Sequence, residues 1–332
     1  MCINRINLFL MKKSKNFNVL ITGISGFTGS HLADYLLGKG CTVFGSLYNK
    51  NELRNIEHII DRIQTIQVDI CIPSQVTRMI QTAVPDYIFH LAAESQARGI
   101  KNVSKATYKT NLTGTLNLLE AVLRNGINST VFIPGSSAQF GLVRRNENPI
   151  KETNPYRPVS PYAVSKIAQA MIGYQYYLTH GLKIIRTHTF KYIGPRQSQE
   201  FACSGFAAQI AQIEKGLKPP VIQVGNMNSW WDFTDVRDVG KGILAGCRKG
   251  NTRGGVQYRS GHAYYVRDIL EKLLSIIDVK VEVKQDPKRM RPSDVPFQAG
   301  DFTKFRSLTG WEPLIPIEES LRDILDYWRG NV

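Results

Sequence analysis

Two rhythms of apolar residues run along this chain. Residues 18–22 (NVLIT) are an uninterrupted apolar run of strand length. From Gly29 onward, Leu32, Ala33, Leu36 and Leu37 recur at helical spacing until Gly38 and Gly40 stop them. The same pair of rhythms then repeats. Strands are predicted at 41–47, up to Val68-Asp69, at 86–93, over STVFIPGSS at 129–137 and over LKIIRTHTF at 182–190; helices are predicted near 51–60, 74–83, 107–125 and 161–179. Strands alternating with helices of ten or more residues imply an α/β protein on a parallel, doubly wound sheet, with ligands at the strand carboxyl ends. Beyond about residue 190 the rhythm loosens, and Gly194-Pro195, Pro219-Pro220, Pro287, Pro292 and Pro296 interrupt the chain. The expected division is a loose tail at 1–16, with Met11 as an alternative start, a nucleotide-binding domain at 17–189 and a smaller C-terminal domain at 190–332. A segment at about 232–262 is expected to return to the first domain.

Between the first strand and the first helix stands Gly23-x-x-Gly26-x-x-Gly29. Glycines at this spacing allow a tight turn, close approach of backbone to a pyrophosphate and close helix-to-strand packing, with the phosphate at the helix N-terminus. The sheet is therefore expected to be of the Rossmann type, with a dinucleotide contacted through Gly23, Gly26, Phe27, Thr28 and Gly29. The end of the second strand selects the cofactor: an acid there binds the ribose diol of NAD, whereas positive or neutral polar groups accept the 2′-phosphate of NADP. The residues are SLYNKNELR, with Asn49, Lys50 and Arg54 available and no acid before Glu52, so NADP(H) is favoured over NAD(H). Asp69, ending the third strand beside Ile70, either accepts the adenine amino group or simply closes a turn.

Composition narrows the class. Of 332 residues, 42% are hydrophobic and 21% charged, as in a globular protein with a sizeable core. No apolar run approaches the roughly 20 residues of a membrane helix. The opening MCINRINLFLMKK lacks the small-residue cleavage site of a signal peptide, and a cytoplasmic location is expected. Five dispersed cysteines without a C-x-x-C pair suggest neither a disulfide framework nor a zinc site, so no metal is expected. The formal charge of +15 favours anionic partners. The basic residues are scattered and lack the aromatic interleaving of a single-strand groove, which points to phosphorylated small molecules and away from nucleic acid.

Residues 161–166, PYAVSK, place Tyr162 and Lys166 on one helix face, one turn apart. A phenol, with a pKa of about 10, exchanges protons poorly at neutral pH until a nearby cation favours the phenolate. Upstream, GSSAQFG at 135–141 puts the Ser136 hydroxyl at a strand carboxyl end, on the same crevice as the glycine turn. Together these are the parts of a proton relay. The hydroxyl orients a carbonyl or carbinol, the tyrosine exchanges a proton with that oxygen, and the lysine lowers the phenol pKa while holding the cofactor ribose.

Taken with HLAAES, NLTGTLNLLEA, IGP, DFTDVRDV, MRPSDV and TGWEP, these motifs make the chain resemble the extended short-chain dehydrogenases/reductases, the NAD-dependent epimerase/dehydratase family, from about residue 18 to 328. Within that family the likeness is greatest to GDP-6-deoxy-4-keto-mannose reductases and GDP-mannose 4,6-dehydratases. The resemblance implies that Ser136, Tyr162 and Lys166 are catalytic, that Leu91, Ala92 and Ala93 line the cofactor, and that Asn111 supports the active-site helix. It places Glu94, Ser137, Lys191, Trp231, Arg291 and Asp294 on a nucleotide sugar, GDP-linked by preference, with Arg291 and Asp294 at its ribose and diphosphate. A homodimer through helices that include 107–125 and 161–179, or a tetramer, is also implied. Two stretches depart from the family's pattern: His188-Thr189-Phe190-Lys191 stands where Arg-x-Phe-Asn is frequent, and Trp231 where Arg precedes Asp-Phe-Thr-Asp. Lys191 replaces some of the lost charge as a point charge without the bidentate fork of Arg. Trp231 either packs behind the substrate loop or stacks on the ligand.

Position 138 separates the reactions. A 4,6-dehydratase oxidises C4, removes the C5 proton, expels water from C6 and returns the hydride, so it needs a carboxylate in addition to the tyrosine. The resemblance puts that acid two residues after the catalytic hydroxyl, where this chain has Ala138; Glu94 is the nearby acid that would have to substitute. Reduction of a 4-keto group needs only a hydride and the tyrosine proton. The sequence therefore predicts NADPH-dependent reduction of a GDP-4-keto-6-deoxy-hexose, as in GDP-rhamnose formation. A 4,6-dehydratase, a 4-epimerase and a non-catalytic cofactor-binding protein are the alternatives.

Overall fold

The computed structural model describes residues 16–95, 103–249, 256–258, 261–290 and 297–332. The chain opens with β1 (Asn18–Thr22), α1 (Phe27–Leu37), β2 (Thr42–Leu47), β3 (Gln64–Gln67), α2 (Pro73–Ala83) and β4 (Tyr87–His90). It continues through α3 (Val103–Tyr108), α4 (Gly114–Arg124), β5 (Thr130–Pro134), α5 (Pro161–His180), β6 (Lys183–Thr189) and β7 (Lys191–Ile193). Then follow α6 (Ala202–Glu214), β8 (Val221–Val224), β9 (Trp230–Asp235), α7 (Val236–Lys249), β10 (Val256–Tyr258), β11 (Ala263–Tyr265) and α8 (Val266–Leu274). The last elements are β12 (Glu282–Gln285), β13 (Phe297–Gln298), α9 (Thr303–Thr309) and α10 (Ile317–Arg329).

Seven strands form a parallel sheet in the order β10-β6-β5-β4-β1-β2-β3, the doubly wound Rossmann architecture that the alternating pattern predicts. Strand order reverses between β1 and β4, and the loops that leave their carboxyl ends diverge there to open a ligand crevice. The uniform apolar runs of the strands follow from helices on both faces. In β1, Val19 and Ile21 pack with Leu32 and Leu36 of α1 and Val239 and Ile243 of α7, while Leu20 packs with Met79 and Ile80 of α2 and Leu118 and Val122 of α4.

The C-terminal part has a core of its own, in which Phe206 and Ile210 of α6, Ile269 and Leu273 of α8, and Leu321, Ile324 and Trp328 of α10 come together. Beside it, β9 carries β11 on one side and β13 on the other, with β7 also paired to it, and β8 pairs with β12.

Three local expectations are corrected. The helix expected near 51–60 is a turn followed by a 3-10 helix at Glu57–Arg62. Its apolar Leu53, Ile56 and Ile59 recur at spacing three, and short bonds from Ile56 N–H to Leu53 O (2.8 Å) and Ile59 N–H to Ile56 O (3.0 Å) close it tightly. The strand expected over 86–93 stops at His90 because the Ala92 N–H leaves the ladder for the Thr22 hydroxyl (3.1 Å). The helix expected from 107 begins at Val103 and is interrupted by a π-turn, Lys109–Thr113.

Burial pushes the imidazoles of His31, His90 and His188 down to about 4, 3 and 4. Each folded value lies below that of a free histidine, so the stability these groups contribute is present above about pH 6.5 and is lost as pH falls toward 3–4. Between pH 6.5 and 5 each is expected to cost roughly 1.5 kcal/mol. Urea midpoints at the two pH values measure this, and equal midpoints would contradict it.

Candidate active site

The glycine turn is built by contacts that only glycine permits. Gly23 has φ +71°, and a Cβ there would lie 3.0 Å from Ala92 Cα. A Cβ on Gly29 would lie 2.4 Å from the Gly23 carbonyl oxygen, so α1 rests directly on the turn. The Ser46 hydroxyl at the end of β2 accepts the Gly23 N–H at 3.1 Å. Gly26 caps α1 without a side-chain hydrogen bond, which leaves the first-turn amides of Phe27, Thr28 and Gly29 to an anion. A cradle that any Cβ would fill, beside an uncapped helix end at the switch point, fits the pyrophosphate of a dinucleotide. Leu91, Ala92 and Ala93 leave β4 alongside this turn.

Ser136 follows β5 and caps a 3-10 turn, Ser137–Gln139. Its hydroxyl accepts the Ala138 N–H at 3.2 Å, and its own N–H donates to Gln139 Oε1 at 2.8 Å. Ser160 accepts the Ala163 N–H at 3.2 Å and Pro161 takes the first helical position, so α5 starts where Tyr162 enters the crevice. Tyr162 is partly exposed, but its phenol end is enclosed. Burial raises its pKa, and a hydrogen bond with Ser136 pulls it back. Lys166 is 3% exposed, and burial lowers its ammonium to about 7. The ammonium donates to Gln169 Oε1 at 2.8 Å. The sequence expected Lys166 to act directly on the phenol; in the structure its ammonium donates to Gln169, one turn on, and the group that opposes the effect of burial on Tyr162 is Ser136.

Asn111 lies on the π-turn, a widening that recurs at functional sites. Its Oδ1 accepts the Glu94 N–H (2.8 Å), and its Nδ2 donates to the Glu94 carbonyl (3.2 Å) and to Ser165 Oγ (2.8 Å). Ser165 in turn donates to the Tyr162 carbonyl at 2.7 Å. One amide thus ties the loop after β4 to the first turn of α5.

The remaining predicted residues divide. Asn49 and Lys50 lie exposed just past β2. Arg54, expected at the 2′-phosphate, is instead drawn to α10, donating to Asn331 Oδ1 at 2.8 Å and standing 5.9 Å from the Tyr327 ring centre; it lines a 630 Å³ cavity bounded by α1, α7 and α10. Asp69 accepts the Cys71 N–H at 2.8 Å, the turn-closing role, and Ile70 is buried against Gly114. Ser137 is turned inward, its buried hydroxyl donating to Gln298 Oε1 at 2.9 Å. Lys191 Nζ stands 4.7 Å from the centre of the Trp231 ring, so the two departures from the family's pattern meet as a cation–π pair. Arg291 and Asp294 lie outside the described residues.

Sequence reasoning missed Ser46, Gln169 and Arg196. Arg196 has φ +70°, a conformation uncommon outside glycine. It donates to Asp34 Oδ2 (2.7 Å), His31 Nδ1 (2.7 Å) and the Asn55 carbonyl (3.0 Å), while Asn55 donates to the Ser25 carbonyl (2.9 Å). The turn after β7 is thereby clamped to the glycine loop. Partners so distant in sequence leave no periodic signal; the charged residue directly after Gly194-Pro195 was the one available hint.

Among the described residues no three His, Cys, Asp or Glu side chains converge as metal ligands, and no helix is long and apolar enough to cross a membrane.

Residues 20–324 match the GDP-mannose 4,6 dehydratase family. The GDP-6-deoxy-D-mannose reductase of Pseudomonas aeruginosa is 31% identical over 314 residues, covering 95% of this chain and 98% of the relative. The GDP-mannose 4,6-dehydratase of Vibrio cholerae is 28% identical over 348 residues, covering 92% of each. Among solved structures, RMD from Pseudomonas aeruginosa complexed with NADPH superposes with a TM-score of 0.83 at 30% identity, covering 95% of this chain and 100% of that one. UDP-glucose 4-epimerase from Thermotoga maritima with UDP-glucose gives 0.83 at 25% identity, covering 94% and 99%.

Proposed function

The chain belongs to the GDP-mannose 4,6-dehydratase family, and we propose that within it this protein is an NADPH-dependent reductase of a GDP-4-keto-6-deoxy-hexose. It is an NAD(P)-dependent oxidoreductase of nucleotide sugars; the direction of its chemistry is what the proposal adds. The observation that carries it is the turn behind Ser136. Position 138 is alanine, the Ser137 hydroxyl is committed to Gln298, and the Gln139 amide oxygen accepts the Ser136 N–H. That turn offers no carboxylate to take a proton from C5, while the groups needed to protonate a C4 oxygen are present. The 31% identical reductase, aligned over nearly its whole length, supports the same reading.

The cofactor fits the glycine cradle, with Phe27, Thr28 and Gly29 amides at its diphosphate and Ala92 and Ala93 beside it. NADPH is favoured by Lys50 beyond β2, by the absence of an acid at 48–51, and by the NADPH complex of the structural relative. Bound there, reduced nicotinamide supplies the hydride for C4. Ser136 holds the C4 oxygen by hydrogen bonding, and Tyr162 delivers its proton to that oxygen as negative charge develops on it. Lys166, in its ammonium form and with two donors beyond the one it gives Gln169, binds the ribose and lends its charge to the phenolate that remains. Lys191, backed by Trp231, offers a positive charge to the diphosphate of the sugar nucleotide. With GDP-mannose and NADP⁺ in place of the keto sugar, no 4-keto product is expected by NMR; its appearance would replace this reading with a dehydratase.

The reading extends to assembly. On α5, Val164, Met171 and Leu178 recur every seventh residue and are 41, 43 and 62% exposed, and Leu116 of α4 is also exposed. This unpartnered apolar stripe supports a homodimer through α4 and α5. Sedimentation is expected to give a dimer that Met171→Asp with Leu178→Asp converts to monomer; an unchanged mass would contradict this.

A further inference from the structure

Behind Lys166 lies a chain of buried polar groups drawn from α5, α4, the π-turn before it, β4 and β1. Lys166 Nζ donates to Gln169 Oε1 (2.8 Å), and Gln169 Nε2 donates to Thr115 Oγ1 (2.7 Å) on α4. The Thr115 hydroxyl donates to the Asn111 carbonyl (2.6 Å) and lies 3.0 Å from His90 Nε2 at the end of β4. His90 Nδ1 lies 2.9 Å from Thr22 Oγ1, which accepts the Ala92 N–H at 3.1 Å. Thr22, His90, Asn111, Thr115 and Gln169 are all 0–1% exposed, so none of these bonds is exchanged for one to bulk water.

Proton counting fixes every direction in the chain. A hydroxyl has one proton and two lone pairs. Thr115 gives its proton to Asn111 O, so it must accept from both Gln169 and His90. His90 therefore carries its proton on Nε2, and its Nδ1 accepts from Thr22. Gln169 is left one orientation: a flipped amide would aim its NH2 group at the Lys166 ammonium and its oxygen at a threonine with no proton to give.

We propose that Gln169 is the positioning residue for Lys166, its amide oxygen locked by Thr115, His90 and Thr22 so that the ammonium is held in one place and its charged form is favoured inside the protein. The lock runs to the strand end that starts the glycine turn, so it sets the lysine relative to the cofactor cradle as well as to Tyr162. Among the described residues, the titratable group whose charge state Lys166 influences is His90 from β4; Tyr162 lies one turn before Lys166 on its own helix, and Tyr192 of β7 lies beyond Tyr162. None is an anion at neutral pH, so no carboxylate among them offsets the burial of the charge. A neutral acceptor with its oxygen fixed toward Nζ does that work here, and it does so without forming an ion pair that would compete with the ribose.

The effect on turnover rests on the proposed role of Lys166; the effect on its proton does not. The test is a titration of full-length protein labelled with 13Cε-lysine, without added nucleotide, in which the Lys166 signal is identified by its loss in Lys166→Arg. Gln169→Leu is expected to lower the Lys166 midpoint by about one pH unit, and Gln169→Glu to raise it by a similar amount. If Gln169→Leu does not fold, Gln169→Met carries the same arm. In the reductase assay, Gln169→Leu is expected to lose roughly tenfold in kcat at pH 7.5 with the high-pH limb moved down, and Gln169→Glu to recover kcat with the limb moved up, the sugar KM changing little. Midpoints that stay put in all three variants, or that move the same way in Leu and Glu, would overturn the proposal. Opposite midpoint shifts in a protein that reduces no keto sugar would uphold the lock and overturn the reductase reading alone.

Discussion

Tyr162→Phe is expected to lower kcat about a thousandfold, within the range of a lost general acid, while cofactor affinity stays within roughly twofold. The change removes one oxygen atom from a side chain whose ring is already fixed by the capped start of α5. What disappears is the proton donor for the developing C4 alkoxide and the hydrogen bond to Ser136. Water is a poor substitute where Lys166 and its partners are sealed from solvent. Single-turnover rates under saturating cofactor check this, with binding followed separately by nucleotide fluorescence. Retention of more than about a tenth of the wild-type rate would remove Tyr162 from the chemistry.

Gly29→Ala is expected to weaken cofactor binding by more than about a hundredfold, some 2.7 kcal/mol. Its Cβ would stand 2.4 Å from the Gly23 carbonyl, 2.9 Å from Ile24 Cα and 3.0 Å from the Ile24 carbonyl. All three are backbone atoms, so no rotamer change relieves the contact and α1 must move off the turn, taking its first-turn amides with it. Overpacking of this kind also costs on the order of 1–3 kcal/mol of stability. Gly38→Ala is the control, because Gly38 follows the same helix at φ −64° and a Cβ there would come no nearer than 3.4 Å to the Tyr35 carbonyl, an ordinary contact. Calorimetric titration with NADPH should therefore separate the two variants, and equal affinities would mean that α1 does not carry the diphosphate.

The glycine turn and the sheet were legible because their signals are local: a strand's apolar run, three glycines and a helical stripe follow one another within twenty residues of sequence on the order of one βα unit. The crevice geometry was legible only in part. Ser136 and Tyr162 come together because one ends a strand and the other starts a helix on the same side of the sheet. Arg54 misled because charge near the end of β2 says nothing of direction, and its partner Asn331 lies 277 residues away. Ser137 misled for a related reason: Gln298, 161 residues on, turns its hydroxyl inward. The segment at 51–60 has apolar Leu53, Ile56 and Ile59 at spacing three, the 3-10 rhythm, which over so few residues is hard to tell from the spacing of the commoner α-helix. Lys191 and Trp231 each stood out as a departure from pattern; that they touch was visible only once β7 and β9 were paired.

The central claim is the direction of the chemistry, and one measurement bears on it most directly. Purified protein is mixed with NADPH and GDP-4-keto-6-deoxy-mannose, loss of reduced nicotinamide is followed by absorbance, and the sugar is identified by NMR. The account predicts one NADPH oxidised for each keto group consumed and a 4-hydroxy-6-deoxy sugar as product. Unchanged NADPH absorbance, in a protein that binds the cofactor and converts GDP-mannose to a keto sugar, would contradict it and would mean that a carboxylate outside the Ser137–Gln139 turn does the work that Ala138 does not.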